Sequence, residues 1–325
     1  MHHYFRDISK QLAIATLLLV ALCVSAQQAF PSKHIRFIVP YPTGSGTLVA
    51  RIVGDKVAES LGQPVVVESR PGGDTIIGAT VVAKASPDGY TIMLISGSHV
   101  TLSMLHKSVP FDVIADFSPV ATLTASELVL AINPSMDANS LSELIALAKS
   151  KPNQLSYAST GSGGPSHLAA ELFNSLTGVQ VANIPYKGSG PAVTDLIGGH
   201  VQMYFGPPSL VINHIKAGTL RGIAVSGGTR LSAAPQMSTF TEAGLAGFDV
   251  RNWYGVLAPR ETPKAVVDRL SIEIGKALAH PDVVERLSTL GFSPFISSPE
   301  QTLALMKNDM VRMAKIISAT NIKPE

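Results

Sequence analysis

Residues 159–167 read Ser-Thr-Gly-Ser-Gly-Gly-Pro-Ser-His, which puts four small hydroxyl residues and three glycines just after the apolar stretch Leu155–Ala158. Pro165 then opens an amphipathic helix. Side chains this small let a ligand approach backbone N–H groups, and a helix N-terminus presents those groups with about half a positive charge in sum. The chemistry they suit is capture of a carboxylate or phosphate without a cationic side chain. The same grammar recurs at Tyr41–Thr47, Ser96–Thr101 and Pro185–Gly190. His99 and His167 lie in two of these loops, where a ligand hydrogen bond, an acid/base or metal role, or a plain loop position are all open readings. Lys187 is a candidate counter-charge for an anion or an ordinary solvated lysine.

The elements that must position these loops alternate. "IRFIVP" is a short apolar strand; "TLVARIVGDKVAESLG" puts Leu48, Ile52, Val53, Val57 and Leu61 on one helical face and ends at Gly62. "PVVVES", a small-residue helix over 76–85 and "YTIMLIS" complete a βαβαβ unit, which predicts a largely parallel sheet covered by helices. A second unit begins near Glu127 with "ELVLAINPS", a helix capped by Ser140 and Glu143, and three further strands meeting small-residue loops. After "NWYGVLAPR" the chain turns helical: Thr262-Pro263 and Ser298-Pro299 start two helices, and Met306, Met310 and Met313 form a stripe read as core. In parallel sheets ligands collect beyond the carboxyl ends of the strands, so two loops from each unit can line one cleft. Trp253 and Tyr254 adjoin a hinge strand, with packing as the default role and a cleft wall as the alternative.

Composition removes other classes. The 325 residues carry a formal charge of +2. Met1–Ala26 reads as an export signal, with Arg6 and Lys10 before the apolar run Leu12–Val24 and small residues at the cleavage point. The run falls well short of the roughly 20 residues that span a bilayer. Cys23 follows it as a lipidated cysteine would, but the bulky Leu22 stands where a small residue is expected. Without these residues the charge is near neutral, which gives no support to a nucleic-acid surface. No Gly-x-Ser-x-Gly elbow, Walker sequence, complete Gly-x-Gly-x-x-Gly or His-Glu-x-x-His occurs, so the sequence points to no enzyme, cofactor or metal.

The segments "IRFIVPYPTGSGT", "LGQPVVVESRPGGD", "SPDGYTIMLIS", "LSYASTGSGGPSHLAAELF", "IPYKGSGPAVTDLIGGHV", "HIKAGTLRGIAVSGGTR", "EAGLAGFDVRNWYGVLAPRETP" and the closing "NIKPE" run in order along the chain. Together they resemble the tripartite tricarboxylate transporter substrate-binding, or Bug, family of periplasmic solute receptors. The resemblance implies an α/β type II periplasmic binding-protein fold with two domains, crossing hinge strands and a ligand cleft. The expected division is 30–126 with 250–325 as the first domain and 127–249 as the second. It further implies a small carboxylate ligand, such as a di- or tricarboxylate or an aromatic acid, passed to integral-membrane transporter subunits by a monomeric receptor.

The ligand-binding positions carried over are Tyr41, Thr43, Gly44 and Ser45 in the first domain. In the second they are Ser159, Thr160, Gly161, Ser166 and His167, with Tyr186, Lys187 and Gly188 completing the wall. Ser98 and His99 join them from the loop at 96–101, and Gly206 in "MYFGPPS" is read as leaving room for a bulky part of the ligand. One departure stands out: after "PYP" the family usually shows two adjacent glycines and soon an aspartate, whereas "TGSGTLVAR" has none and is one residue shorter. Losing that carboxylate weighs against amino-acid ligands. An extracytoplasmic sensor that presents its loaded form to a membrane signalling protein is the alternative function, since both roles use the same cleft.

Overall fold

A computed structural model of the protein describes residues 30–161, 163–231, 233–248 and 250–319. The expected export signal, Ser162 and the closing residues 320–325 lie outside the described residues. The chain runs β1 (Ile35–Val39), α1 (Ser45–Leu61), β2 (Val65–Ser69), a 3-10 turn at Gly73–Thr75, α2 (Ile76–Ala83) and β3 (Thr91–Ser96). A second 3-10 turn (Gly97–Thr101) leads into α3 (Leu102–Leu105), β4 (Phe117–Glu127) and β5 (Val129–Ile132). Next come α4 (Leu141–Ser150), β6 (Ser156–Ser159), α5 (Pro165–Thr177), β7 (Ala182–Pro185), α6 (Ser189–Gly198), β8 (Met203–Gly206), α7 (Pro208–Lys216) and β9 (Arg221–Val225). The last elements are β10 (Arg251–Pro259), α8 (Lys264–Ala279), α9 (Pro281–Thr289), β11 (Ser293–Pro294) and α10 (Pro299–Ala319).

Two sheets result. The first has the order β11-β4-β10-β3-β1-β2 and the second β7-β6-β8-β5-β9. β1 pairs in parallel with both β2 and β3, and β6 pairs in parallel with β7 and β8, as alternating strands and helices require. Each sheet is covered on both faces. Phe37, Val39, Val53, Leu270 and Ile274 belong to one core of the first sheet, and Ile38, Met93, Ile95, Trp253 and Met306 to the other. In the second sheet Tyr157, Phe173, Phe205 and Phe240 fill one core, and Ala158, Leu196, Tyr204 and Val211 the other. Alternation within "YTIMLIS" and "SYAS" is what sends neighbouring residues to opposite cores.

The chain passes between the sheets on extended strands. β4 ends at Glu127 in the first sheet and, after Leu128 alone, β5 begins at Val129 in the second. β10 brings it back, antiparallel to β4 from Arg251 opposite Glu127 to Pro259 opposite Phe117, with two register shifts on the way. The stripe read as core on α10 is so placed: Met306 and Met313 are buried. The same helix anchors the returning strand, because buried Trp253 donates its Nε1–H to Asp309 Oδ2 at 2.8 Å.

That bond ties a neutral donor to a carboxylate inside the fold, where such a bond is worth about 1.5–3 kcal/mol. Trp253→Phe keeps an aromatic ring and removes the donor, so urea denaturation should show a loss of that size. An unchanged midpoint would show that α10 does not hold β10 through this contact.

Candidate functional site

The small-residue loops all follow the carboxyl ends of parallel strands. Tyr41–Gly44 follows β1 and leads into α1; Gly97–Thr101 follows β3; Thr160–Gly164 follows β6 and leads into α5; Tyr186–Gly188 follows β7 and leads into α6. Each of the three helices starts at a glycine, Gly44, Gly164 or Gly188, and none has a side-chain cap or an acidic residue in its first turn. A glycine cap leaves the first N–H groups unsatisfied and open to an approaching ligand. Gly161 holds a φ of 128° with open space around its missing side chain, so its backbone conformation is what requires glycine there.

In the first loop Tyr41 accepts the Ser96 N–H at 2.8 Å and donates its hydroxyl to Ser96 Oγ at 2.9 Å. Ser96 Oγ lies 2.8 Å from Ser98 Oγ. Beside them the Tyr254 hydroxyl is 3.2 Å from Ser45 Oγ, and its ring meets that of Tyr41 edge-on at 6.3 Å. Burial pushes Tyr254 up to about 12 and Tyr41 upward as well, so both remain neutral hydroxyls at any physiological pH. Thr43, Gly44 and Ser45 are exposed at the lip, whereas the Thr47 hydroxyl, on a residue only 3 % exposed, finds no partner among the described residues.

In the second lobe Ser166 Oγ accepts the Thr160 N–H at 3.1 Å and stands 3.2 Å from Thr160 Oγ1, which curls the loop back onto the first turn of α5. Ser159 is fully buried and its hydroxyl also finds no partner among the described residues. His167 is buried, stacks 6.3 Å from the Tyr157 ring and accepts the Gly163 N–H on Nδ1 at 3.0 Å. An accepting Nδ1 fixes the neutral ring with its proton on Nε2, and burial pushes its pKa down in agreement. His167 is therefore a brace for the loop. Tyr186 donates its hydroxyl to Asp195 Oδ2 at 2.7 Å, while Lys187 is exposed and forms no ion pair among the described residues.

Two expectations are corrected. His99 is 1 % exposed, its ring packs against both Phe111 and Phe117, and Nε2 lies 3.0 Å from the Val113 carbonyl. It is a core histidine, because alternation around the 3-10 turn points it inward while Ser98 stays near the surface. Gly206 does not leave room for ligand: a Cβ there would lie 2.3 Å from Cε1 of the Tyr204 ring, which already fills the space. Ser96, the first residue of the expected Ser96–Thr101 loop, and Tyr254, for which a cleft wall was the alternative role, both stand beside Tyr41 and Ser45. The period-2 pattern of a strand was their signal, since Trp253 and Tyr254 must face opposite sides. Among the described residues no cluster of three histidine, cysteine or acidic side chains could hold a metal.

Two α/β lobes joined by crossing strands, with small-residue loops at the carboxyl edges of their sheets, make a two-domain periplasmic binding-protein fold. Residues 49–322 match the tripartite tricarboxylate transporter family receptor. The chain is 37 % identical to BugT of Bordetella pertussis over 308 residues, 94 % of each chain. An R. palustris protein solved with adipate superposes with a TM-score of 0.81 at 28 % identity, covering 91 % of this chain and 100 % of that one. MatC from Rhodopseudomonas palustris, solved with malate, gives 0.75 at 30 % identity, covering 88 % and 99 %. The chain belongs to the tripartite tricarboxylate transporter receptor family, whose members are periplasmic receptors, not enzymes, and work with membrane transporter subunits.

The buried His99 carries a pH consequence. Burial outweighs its bond to Val113 and lowers its pKa from 6.5 to about 4. A folded value below the unfolded one means that the unfolded chain binds the proton first, so stability is full above about pH 6.5 and falls as pH drops toward 4. The loss amounts to about 3 kcal/mol at 1.36 kcal/mol per pKa unit. His99→Gln, which keeps a donor for Val113 but does not titrate, should flatten the pH dependence of urea unfolding over that range. An equally steep dependence in the variant would place the titration elsewhere.

Proposed function

We propose that this chain is an exported receptor that captures a small carboxylate between its two domains and delivers it to the integral-membrane subunits of a tripartite tricarboxylate-type transporter. The domains are 30–126 with 250–325 and 127–249, a division supported by the two sheets. The observation that carries the reading is a repeated one. α1 and α5, one in each lobe, start at glycine and carry no acidic residue in the first turn. Beside each lies a buried hydroxyl without a partner among the described residues, Thr47 on α1 and Ser159 at the end of β6.

A buried hydroxyl left without a partner costs free energy, and a charged acceptor regains it with a bond worth about 1.5–3 kcal/mol. Helix N-termini and hydroxyls hold an anion while remaining neutral themselves, so the empty site carries no buried charge to desolvate. A di- or tricarboxylate or an aromatic acid suits such a site. The adipate and malate held by the two R. palustris proteins fall within that range. An amino acid would bring an ammonium group, and the Tyr41–Thr47 loop offers it no carboxylate. Tyr41, Thr43, Gly44, Ser45, Ser98, Ser159, Thr160, Gly161, Ser166, His167, Tyr186, Lys187 and Gly188 are the residues proposed to line the cleft, with Ser96 and Tyr254 behind them.

Melting temperatures measured against mono-, di- and tricarboxylates, aromatic acids, amino acids and nicotinate should rise for one acid class, by an amount equivalent to about 2.7 kcal/mol at 100 times Kd. No rise with any acid would overturn the carboxylate assignment. Ser159→Ala and Thr47→Val provide a sharper test, because their two effects have opposite signs. Each should leave the ligand-free protein as stable as before or slightly more so, and each should weaken calorimetric binding of that acid by about tenfold or more. Unchanged affinity would place the ligand elsewhere.

A further inference from the structure

The two lobes touch at the ligand loop itself. Gly163, in the middle of the loop from Thr160 to Ser166, is buried, and a Cβ there would lie 2.2 Å from Leu105 Cδ1 and 3.2 Å from Thr101 Oγ1. Both neighbours belong to the first lobe. Thr101 Oγ1 in turn donates to the Ser98 carbonyl at 2.8 Å, so a candidate loop of one lobe rests on a candidate loop of the other. One turn further along α5 the contact continues: Leu168 packs with Met313 of α10, both about 4 % exposed, and Met104 and Leu172 flank them.

On its other side the loop is held from within its own lobe, where the Gly163 N–H is bonded to His167 Nδ1. The Gly163 backbone is thus pressed between His167 and Leu105, at a φ of 68°. A side chain at this position would meet Leu105 of the other lobe before any other residue.

The geometry points to Leu105 as a positioning residue for the ligand loop: it presses Gly163 into its binding conformation only when the lobes meet, and so couples closure to ligand affinity. This rests on the reading that α5 and its loop hold the carboxylate. Leu105 contributes no polar atom to a ligand. Its effect is exerted through the shape of the Thr160–Ser166 turn, where Ser166 Oγ and the first N–H groups of α5 must stay in register. Met313 and Leu168 extend the same apolar seam and give closure a favourable burial of its own.

The test is a rescue. In the exported chain Gly163→Ala should collide with Leu105, enlarge the radius of gyration of the ligand-free protein in small-angle X-ray scattering, and raise the Kd for the bound acid by about tenfold, within the usual range of coupling between sites. Adding Leu105→Ala should remove the collision and restore both readings toward wild type. Alanine at positive φ also carries local strain, and Leu105→Ala does nothing to relieve that. A double variant as impaired as Gly163→Ala, or a Gly163→Ala protein that closes and binds normally, would overturn the proposal. Adipate, malate, citrate and benzoate serve as probes. If wild type responds to none of them the carboxylate reading fails, while the scattering comparison still decides whether Leu105 controls the meeting of the lobes.

Discussion

The first N–H groups of an α-helix have no partner within the helix, and five helices of this chain show two different answers to that constraint. α4 and α10 are closed by serines: Ser140 Oγ accepts the Glu143 N–H at 3.2 Å, and Ser298 Oγ accepts that of Gln301 at 3.2 Å. α1, α5 and α6 start at glycines that cap nothing. The difference follows position. The three glycine-led helices leave the carboxyl ends of parallel strands, where open N–H groups can be satisfied by a bound anion, while α4 and α10 need no ligand to complete them.

A parallel sheet alone would give one row of such ends. The strand pair β4 and β10 makes two rows into one molecule, because both strands lie in the first sheet and the chain leaves for the second at the end of β4 and returns along β10. Alternation along β10 then divides the labour. Trp253 faces the core under α10 and is fixed by Asp309; Tyr254 faces the opposite core and reaches Ser45 at the start of α1. One two-residue step thus joins the strand that links the lobes to a helix end proposed to hold ligand.

The buried groups beside the ends of α1 and α5 are neutral. Thr47, Ser96, Tyr254, Ser159 and Ser166 are buried hydroxyls, and His167, the buried ring beside them, is held neutral by the Gly163 N–H. Burying a neutral hydrogen-bonding group costs far less than burying an unpaired charge, so the region can be assembled before any anion enters. The bidentate pair of Arg36 with Glu68 joins β1 to β2 instead of entering this group of hydroxyls.

The sequence determined the local grammar. Strand periodicity in "IRFIVP" and "YTIMLIS", the glycine after Leu61 and the serine–glutamate spacing at Ser140 each reflect interactions within a few residues, so the parallel α/β plan and the places of the loops were legible. The roles inside those loops were not. His99 and His167 look alike in sequence, each next to serine in a small-residue loop, yet one ring packs against two phenylalanines while the other braces a candidate ligand loop. Gly206 reads as open space until the fold puts the Tyr204 ring there. Gly163 is one glycine among three, and only the packing of Leu105 from the other lobe sets it apart. These outcomes depend on contacts between residues far apart in the chain, and only the tertiary structure specifies which distant side chain arrives.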